Sequence, residues 1–403
     1  MKSTHSNIPL LYAFAFLRMT LFPMAIITLF WKDVIGLSLT QILFLQSIFS
    51  LATLLLEYPA GYVSDRLGYR PALTIASFLG VVGWGVYSFA ASFGQVLIAE
   101  ILLGISLSFV SGSDSALLYE SLKAEGKEQF YSRHEGRMNG FAQSGEALGA
   151  LFAGLLYTTA PLLPFILQTG VWLLALLLTR TLRDPVRPVV ATTSHLAEAL
   201  RTARYVFREN RRLRATLLLN ALLGLASFYP VWLIQPYMQH ARVPVAWFGP
   251  VWAGANLTVA LCALASHRAT TALGDRRMVL LFIILVGAGY LGLGLTGGMG
   301  GFFFYYLLTA MRGLRGPMML HHAQSESPSA NRAGILSLQA LLFRIFFTIS
   351  APLVGMLADA VGVRQTFHLL AYLFLLLLPP LAWLFLRNLP PAGGDFGTPE
   401  PPD

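Results

Sequence analysis

The residues with the greatest chemical potential are charges set inside long apolar runs. Asp114 sits in Ser111-Gly112-Ser113-Asp114-Ser115, and Glu57 lies just before Pro59. Asn139, Gln143 and Glu146 recur at spacings of four and three, which puts them on one helical face. Arg18 lies in the first apolar run and is available to pair with these acids. Arg312 and Arg315 share a face that Met319 and His322 continue, and Arg344 is followed one turn later by Thr348. A charge at the centre of a bilayer costs about 2.5–3.5 kcal/mol on insertion scales, so such residues face a cavity and find partners. Acids early in the chain thus stand against arginines late in it. Two chemistries fit: ion pairs that hold one side closed, or an anion site at Arg18, Arg312, Arg315 and Arg344 opposite a carboxylate that takes up a proton. A bridge broken by a solute or a proton serves both. Proton uptake is expected first at Asp114, then at Glu146, then at Glu57.

These residues must be positioned by elements that the composition constrains. The chain is 56% hydrophobic and 12% charged, whereas a soluble domain holds about 45–50% and about 25%. Four hundred residues at that balance cannot cover a globular surface with charge, so the chain reads as an all-α integral membrane protein. Apolar segments of spanning length, about 20 residues, fall near 8–31, 39–63, 71–92, 95–121, 138–158, 162–182, 214–236, 247–267, 278–297, 301–322, 334–358 and 366–387. That is twelve transmembrane helices in two six-helix halves, 1–182 and 214–388. With the N-terminus inside, the outer loops hold only Lys32, Arg242 and Arg364; four arginines lie within spans, and the other 21 of the 28 Lys and Arg fall on inner segments. This bias places both termini in the cytoplasm. It also accounts for the net charge of +9 without nucleic acid. The single cysteine, Cys262, excludes an intramolecular disulfide and has no metal-ligand spacing.

Residues 183–213 form a cytoplasmic linker. Ser194 precedes His-Leu-Ala-Glu as an N-cap, and Leu196, Leu200, Ala203 and Phe207 follow on one face with Arg201, Arg204, Arg208 and Arg211 elsewhere. The expectation is a basic amphipathic helix on the inner membrane face. Residues 389–403 are too rich in proline and glycine to fold, which predicts a disordered cytoplasmic tail.

Between the second and third apolar segments stands Gly61-Tyr62-Val63-Ser64-Asp65-Arg66-Leu67-Gly68-Tyr69-Arg70. The pattern G-x-x-x-D-R-x-G-x-R resembles the loop between helices 2 and 3 of the major facilitator superfamily of transporters. Gly274-Asp275-Arg276-Arg277 sits where a degenerate second copy would fall. The resemblance implies two halves that rock about a central site, with Gly61, Asp65, Arg66, Gly68 and Arg70 as conformational-lock residues. In that family the aspartate, here Asp65, steadies the outward-open state at the start of helix 11. The basic residues, here Arg66 and Arg70, pair with an acid at the inner end of helix 4, which Glu120 matches.

Drug–proton antiporters of this family are similar in part. Their helix 4 carries an arginine where this chain has Glu100, four residues before Gly104, and their helix 5 pattern G-x-x-x-G-P-x-x-G-G reads here Gly145 to Gly154 with alanine for the proline. Phe228, Trp232 and Gln235 share one face of the seventh segment and suit an aromatic or amphiphilic solute if they line a cavity; an interfacial aromatic belt is the other reading. The resemblance implies a bacterial inner-membrane, multi-pass, monomeric protein in a lipid bilayer. It would exchange a small organic molecule for protons, most simply outwards, with a proton gradient and no cofactor as energy source. Import of an organic anion, or a non-transporting sensor or scaffold, are the alternatives. No phosphate-binding loop or metal cluster points to ATP-driven pumping or to an enzyme.

Overall fold

The computed structural model describes residues 7–185, 201–326 and 332–389. Every element among them is helical. The first apolar run is two helices rather than one, α1 (Asn7–Met19) and α2 (Ile27–Asp33). Pro23 lies in the break and has no N–H to donate. The amides left over at the break find side-chain acceptors. Phe22 N donates to Gln168 Oε1 at 3.0 Å, while Thr28 N and Leu29 N donate to Gln235 Oε1 at 2.9 and 3.3 Å.

α3 (Leu39–Leu67) opens with a capping box: Ser38 Oγ accepts from Gln41 N, and Gln41 Oε1 accepts from Ser38 N. It stops at Gly68, whose φ of 111° belongs to glycine, and α4 (Tyr69–Tyr87) follows. The Asp184 carboxylate accepts both Tyr69 N and Arg70 N at 3.0 Å, capping α4. A Cβ at position 68 would strike that carboxylate. The fourth apolar run also divides, into α5 (Phe93–Val110) and α6 (Ser113–Ala124), at Ser111 and Gly112. α7 (Tyr131–Thr159) and α8 (Leu163–Thr179) complete the first bundle.

α9 (Arg211–His240) is capped by Asn210, whose Oδ1 accepts from Leu213 N at 2.8 Å. α10 (Phe248–Leu295) carries two of the expected spans on one element. Residues 268–277, read from the sequence as a loop, stay helical apart from a sharp turn at Gly274 (φ 72°). α11 (Phe303–Ser325), α12 (Arg332–Val361) and α13 (Val363–Arg387) follow. Among the described residues six helices are long and apolar enough to cross a bilayer: Leu39–Leu67, Phe93–Ala124, Arg211–His240, Val245–Leu295, Gly334–Val361 and Val363–Arg387.

In the first bundle α1 packs on α7, α5 on α3 and α4, and α8 on α4. In the second, α10 packs on α11 and α13, and α9 on α11, α12 and α13. The bundles meet where α3 runs along α12 and α7 along α10.

Of the linker helix, residues 186–200, including Leu196 and Leu200, lie outside the described residues. Residues 201–209 are helical, with Thr202 and Val206 buried and Arg201, Arg204 and Arg208 exposed. Val206 packs with Leu213, Leu217, Ile335 and Leu338. This stretch packs through Val206 on α9 and α12. The expected tail beyond Leu389 lies outside the described residues.

A cavity between the bundles as candidate binding site

The two bundles enclose a cavity of about 380 Å³. Arg18, Trp31, Gln46, Trp84, Glu100 and Trp172 line it from the first bundle; Phe228, Trp232, Phe343, Arg344 and Phe347 line it from the second. Its walls are mostly apolar and aromatic, with a few polar groups, which is the usual make-up of a small-molecule site. Trp31 stacks on Trp232 across the bundles at 6.1 Å between ring centroids.

One end of the cavity is sealed by three helix pairs. Gln235 on α9 joins the break between α1 and α2, with its Nε2 donating to Met24 O at 2.9 Å in addition to the two bonds it accepts. Beside it Lys32 Nζ donates to Gln239 Oε1 at 2.9 Å and Gln239 Nε2 donates to Asp33 Oδ2 at 2.6 Å. At the second pair, Asp359 near the end of α12 caps α3: Leu39 N donates to Oδ1 at 2.9 Å, and Thr40 N and Oγ1 donate to Oδ2 at 2.8 and 2.6 Å. Burial alone would raise the Asp359 carboxyl, but the bonds from Thr40 and Leu39 outweigh it and hold the group below its ordinary range. At the third pair, backbone meets backbone, because Gly154 lies against Val245 and Gly249 against the Ala150 and Leu151 carbonyls.

Midway, the bundles are joined by two polar contacts. Arg344 forms an ion pair with Glu57, which also accepts from Ser111 Oγ at 3.3 Å. Asn256 Nδ2 donates to Glu146 Oε1 at 2.8 Å. At the far end, α7 is uncovered: Arg137, Asn139, Gly140 and Gln143 are exposed. Among the described residues, nothing from outside the local helix turn approaches within 4 Å of a Cβ placed at Gly136, Gly140 or Gly316.

The expected charges therefore separate into distinct roles. Arg18 pairs with Asp114 at 3.2 Å, and Ser115 N donates to Asp114 Oδ1 at 2.8 Å. Arg18 and Arg344 line the cavity, as do Phe228 and Trp232. Arg312 and Arg315 do not; Arg312 donates to the Ser227 carbonyl and Oγ, and Arg315 to the Asn220 carbonyl and Oδ1, so both fasten α11 to α9. Asn139 and Gln143 lie on the exposed face of α7, and Gln235 is fully buried in its backbone clasp.

In the loop motif, Gly61 and Gly68 frame the end of α3. Asp65 is exposed, Arg66 lies over the Tyr62 ring at 4.8 Å, and Arg70 donates to the Thr179 and Arg180 carbonyls at 3.3 and 3.0 Å. Among the described residues no ion pair joins Arg66 or Arg70 to Glu120, which is half-buried on α6. The second, degenerate copy behaves differently. Asp275 bonds His322 Nε2 at 3.1 Å, and that hydrogen bond, ahead of the opposing effect of burial, holds its carboxyl below the ordinary range.

One cavity residue escaped the reading of the sequence as a site. Glu100 is buried at 4% exposure, accepts from the Tyr87 hydroxyl and from Gln46 Nε2 at 3.0 Å, and has no ion-pair partner among the described residues. Gln46 and Tyr87, one on each neighbouring apolar segment, were the available signal.

The whole chain resembles known transporters. It is 22% identical over 390 residues, 91% of this chain and 92% of that protein, to an uncharacterised MFS-type transporter, YxaM, of Bacillus subtilis (strain 168). Over 57% of the chain and 56% of the relative it is 27% identical to a raffinose permease of Escherichia coli. Among solved structures, the nucleoside transporter NupG in its D323A form superposes with a TM-score of 0.80 at 13% identity, covering 95% of this chain and 99% of that one. A peptide transporter of the POT type superposes with a TM-score of 0.75 at 15% identity, covering 94% of each chain. Similarity at those identities speaks to the fold alone. The sequence profile of the Major Facilitator Superfamily matches residues 10–325, and with the two-bundle cavity in place the conclusion follows: this chain belongs to the Major Facilitator Superfamily of membrane transporters.

Proposed function

We propose that the protein is a twelve-span secondary transporter with both termini in the cytoplasm, moving a small organic solute by alternating access and coupling it to protons. The observation that carries this reading is the cavity drawn from both bundles, sealed at one end by α2–α9, α3–α12 and α7–α10 and uncovered at the other. Placed by the charge bias of the loops, the sealed end is periplasmic and the conformation is inward-facing. An exposed Asp65 fits this state, because the resemblance assigns that residue to the closure of the inner side. In this reading the six helices of spanning length make seven crossings, because α10 makes two and α5 with α6 makes one; α1 with α2, α4, α7, α8 and α11 make the other five.

Proton coupling rests on Asp114 and Glu57, each bound to an arginine at the cavity, and on Glu146 at the bundle interface. Protonating either of the first two releases its arginine, which changes the contact between α1 and α6 or between α3 and α12. Outward movement of the solute against protons in the bacterial inner membrane is the direction proposed. Uptake of an organic anion is the second reading, favoured by the buried Arg18 Nε, which has no hydrogen-bond partner among the described residues.

The test is flux in proteoliposomes carrying an internal pH dye and an imposed pH gradient, with Asp114→Asn in parallel. Solute-dependent proton movement that stops in the variant supports coupling through Asp114. A solute that crosses without moving protons overturns the coupling, and a panel of small organic solutes none of which crosses overturns transport.

A further inference from the structure

Among the described residues the lining of the cavity carries three charged side chains, Arg18, Arg344 and Glu100. Two are already neutralised: Arg18 by Asp114 at 3.2 Å and Arg344 by Glu57. Glu100 differs from both. It is held by two neutral donors, the Tyr87 hydroxyl and the Gln46 amide, and no cation pairs with it among the described residues. With the two arginines answered within the protein, the charge left over in the cavity is a carboxylate.

The walls around it are tryptophan. Trp31, Trp84, Trp172 and Trp232, four of the chain's seven, line this one cavity, so they are not an interfacial belt. Trp84 and Trp31 lie 5.3 and 6.3 Å from the Tyr87 ring, centroid to centroid, and Trp31 stacks on Trp232. The sequence of rings therefore leads from the Glu100 carboxyl to the opposite bundle. An indole face attracts a cation through its quadrupole, most strongly where water is excluded. A buried carboxylate without a counter-charge is costly and is relieved by a cation of suitable size.

We infer that Glu100 and the tryptophans around it form the recognition site for an aromatic or otherwise lipophilic organic cation, with Glu100 as the charge partner and the indole rings as its walls. This rests on the reading of the cavity as a transport site. Glu100 is joined through the Tyr87 ring to Trp31 of α2, which places the cation towards the sealed end. Anion recognition would instead require displacing Asp114 or Glu57 from its arginine.

The test is equilibrium binding to the purified full chain in lipid nanodiscs, read by tryptophan fluorescence. The probes are tetraphenylphosphonium and the similarly shaped anion tetraphenylborate. The wild type should bind the phosphonium more tightly, and Glu100→Gln, which keeps the side chain's volume, should weaken it by about tenfold or more, one charge contact's worth, without changing tetraphenylborate. Trp232→Leu should weaken the phosphonium as well. Tighter binding of tetraphenylborate by the wild type overturns the inference whether or not Glu100→Gln folds, and so does an unchanged phosphonium affinity in a folded Glu100→Gln protein. Binding does not depend on flux. Transport of some solute without phosphonium binding defeats this inference alone, while phosphonium binding without transport of any solute defeats the functional reading alone.

Discussion

Replacing Asp359 by alanine should unseal the closed end of the cavity. The carboxylate reaches from α12 into the other bundle and accepts three hydrogen bonds at 2.6–2.9 Å from Leu39 and Thr40. Bonds of this charge-assisted kind contribute about 1.5–3 kcal/mol each when shielded. Asp359 is exposed, and solvent screening reduces the set to about 1–2 kcal/mol in total. The sealed state then loses about tenfold in population, since 1.4 kcal/mol corresponds to a factor of ten. The assay is alkylation of a cysteine placed at Ser50, a residue of the cavity lining, by a membrane-impermeant maleimide added outside right-side-out vesicles. Cys262 is replaced by serine in all samples. Asp359→Ala should raise the labelling rate about tenfold; a rate within twofold of the parent refutes the reasoning. The pH dependence has a definite sign. The carboxyl is held below its ordinary value of 3.8 in the sealed state, so its stabilisation is fully present above about pH 4 and is lost only as pH falls through the lowered value. Labelling of the parent should be flat between about pH 5 and 8 with respect to this group.

Three further outcomes follow from the same geometry. Gly249→Val should raise labelling at position 50 in the same assay, because any side chain there meets the Ala150 and Leu151 carbonyls and forces α10 from α7. Unchanged labelling would mean that the α7–α10 seam can give way without opening that end. Glu57→Arg and Arg344→Glu should each abolish solute flux, and the double exchange should restore part of it; failure of the double to recover would refute a pairing role. Asp275→Asn should lower the apparent melting temperature by about 1–2 °C at pH 7, a loss on the order of 1 kcal/mol in a large protein. The lowered Asp275 carboxyl means that this difference persists above about pH 4 and closes as pH falls through the lowered value, which thermal scans at several pH values would check.

The sequence made the helical class, the run of apolar segments and the charged inner-end motif readable, because bilayer length and loop charge leave strong one-dimensional signals. It did not show the breaks. The run from Ile8 to Trp31 is apolar apart from Arg18, Thr20 and Thr28, and what ends α1 is the combination of Pro23 with glutamine acceptors 146 and 206–207 residues away, at Gln168 and Gln235. Arg312 and Arg315 satisfied every sequence criterion for a substrate site. Their use as fasteners between α11 and α9 depends on carbonyls at Ser227 and Asn220 that no pattern exposes. In the sequence Glu100 stands out only as an acid where related antiporters carry an arginine. What gives it interest is the pairing of the cavity's two arginines elsewhere, a tally of charges that exists only in three dimensions.

The glutamine clasp also bears on how fast such a protein can turn over. Gln235 supplies from the opposite bundle the acceptor for two amides of the broken first helix, whereas Gln168 serves Phe22 from within the same bundle. When the bundles part, Phe22 keeps its acceptor but Thr28 and Leu29 do not. Inside a membrane an amide without an acceptor is expensive, so those two must be met by water or by rewinding of residues 20–26 as the bundles separate. Opening therefore has an activation barrier located in one short segment. Its rate should depend steeply on temperature, and an alanine at Gln235 should alter the kinetics of the cycle even where the affinity for solute is untouched.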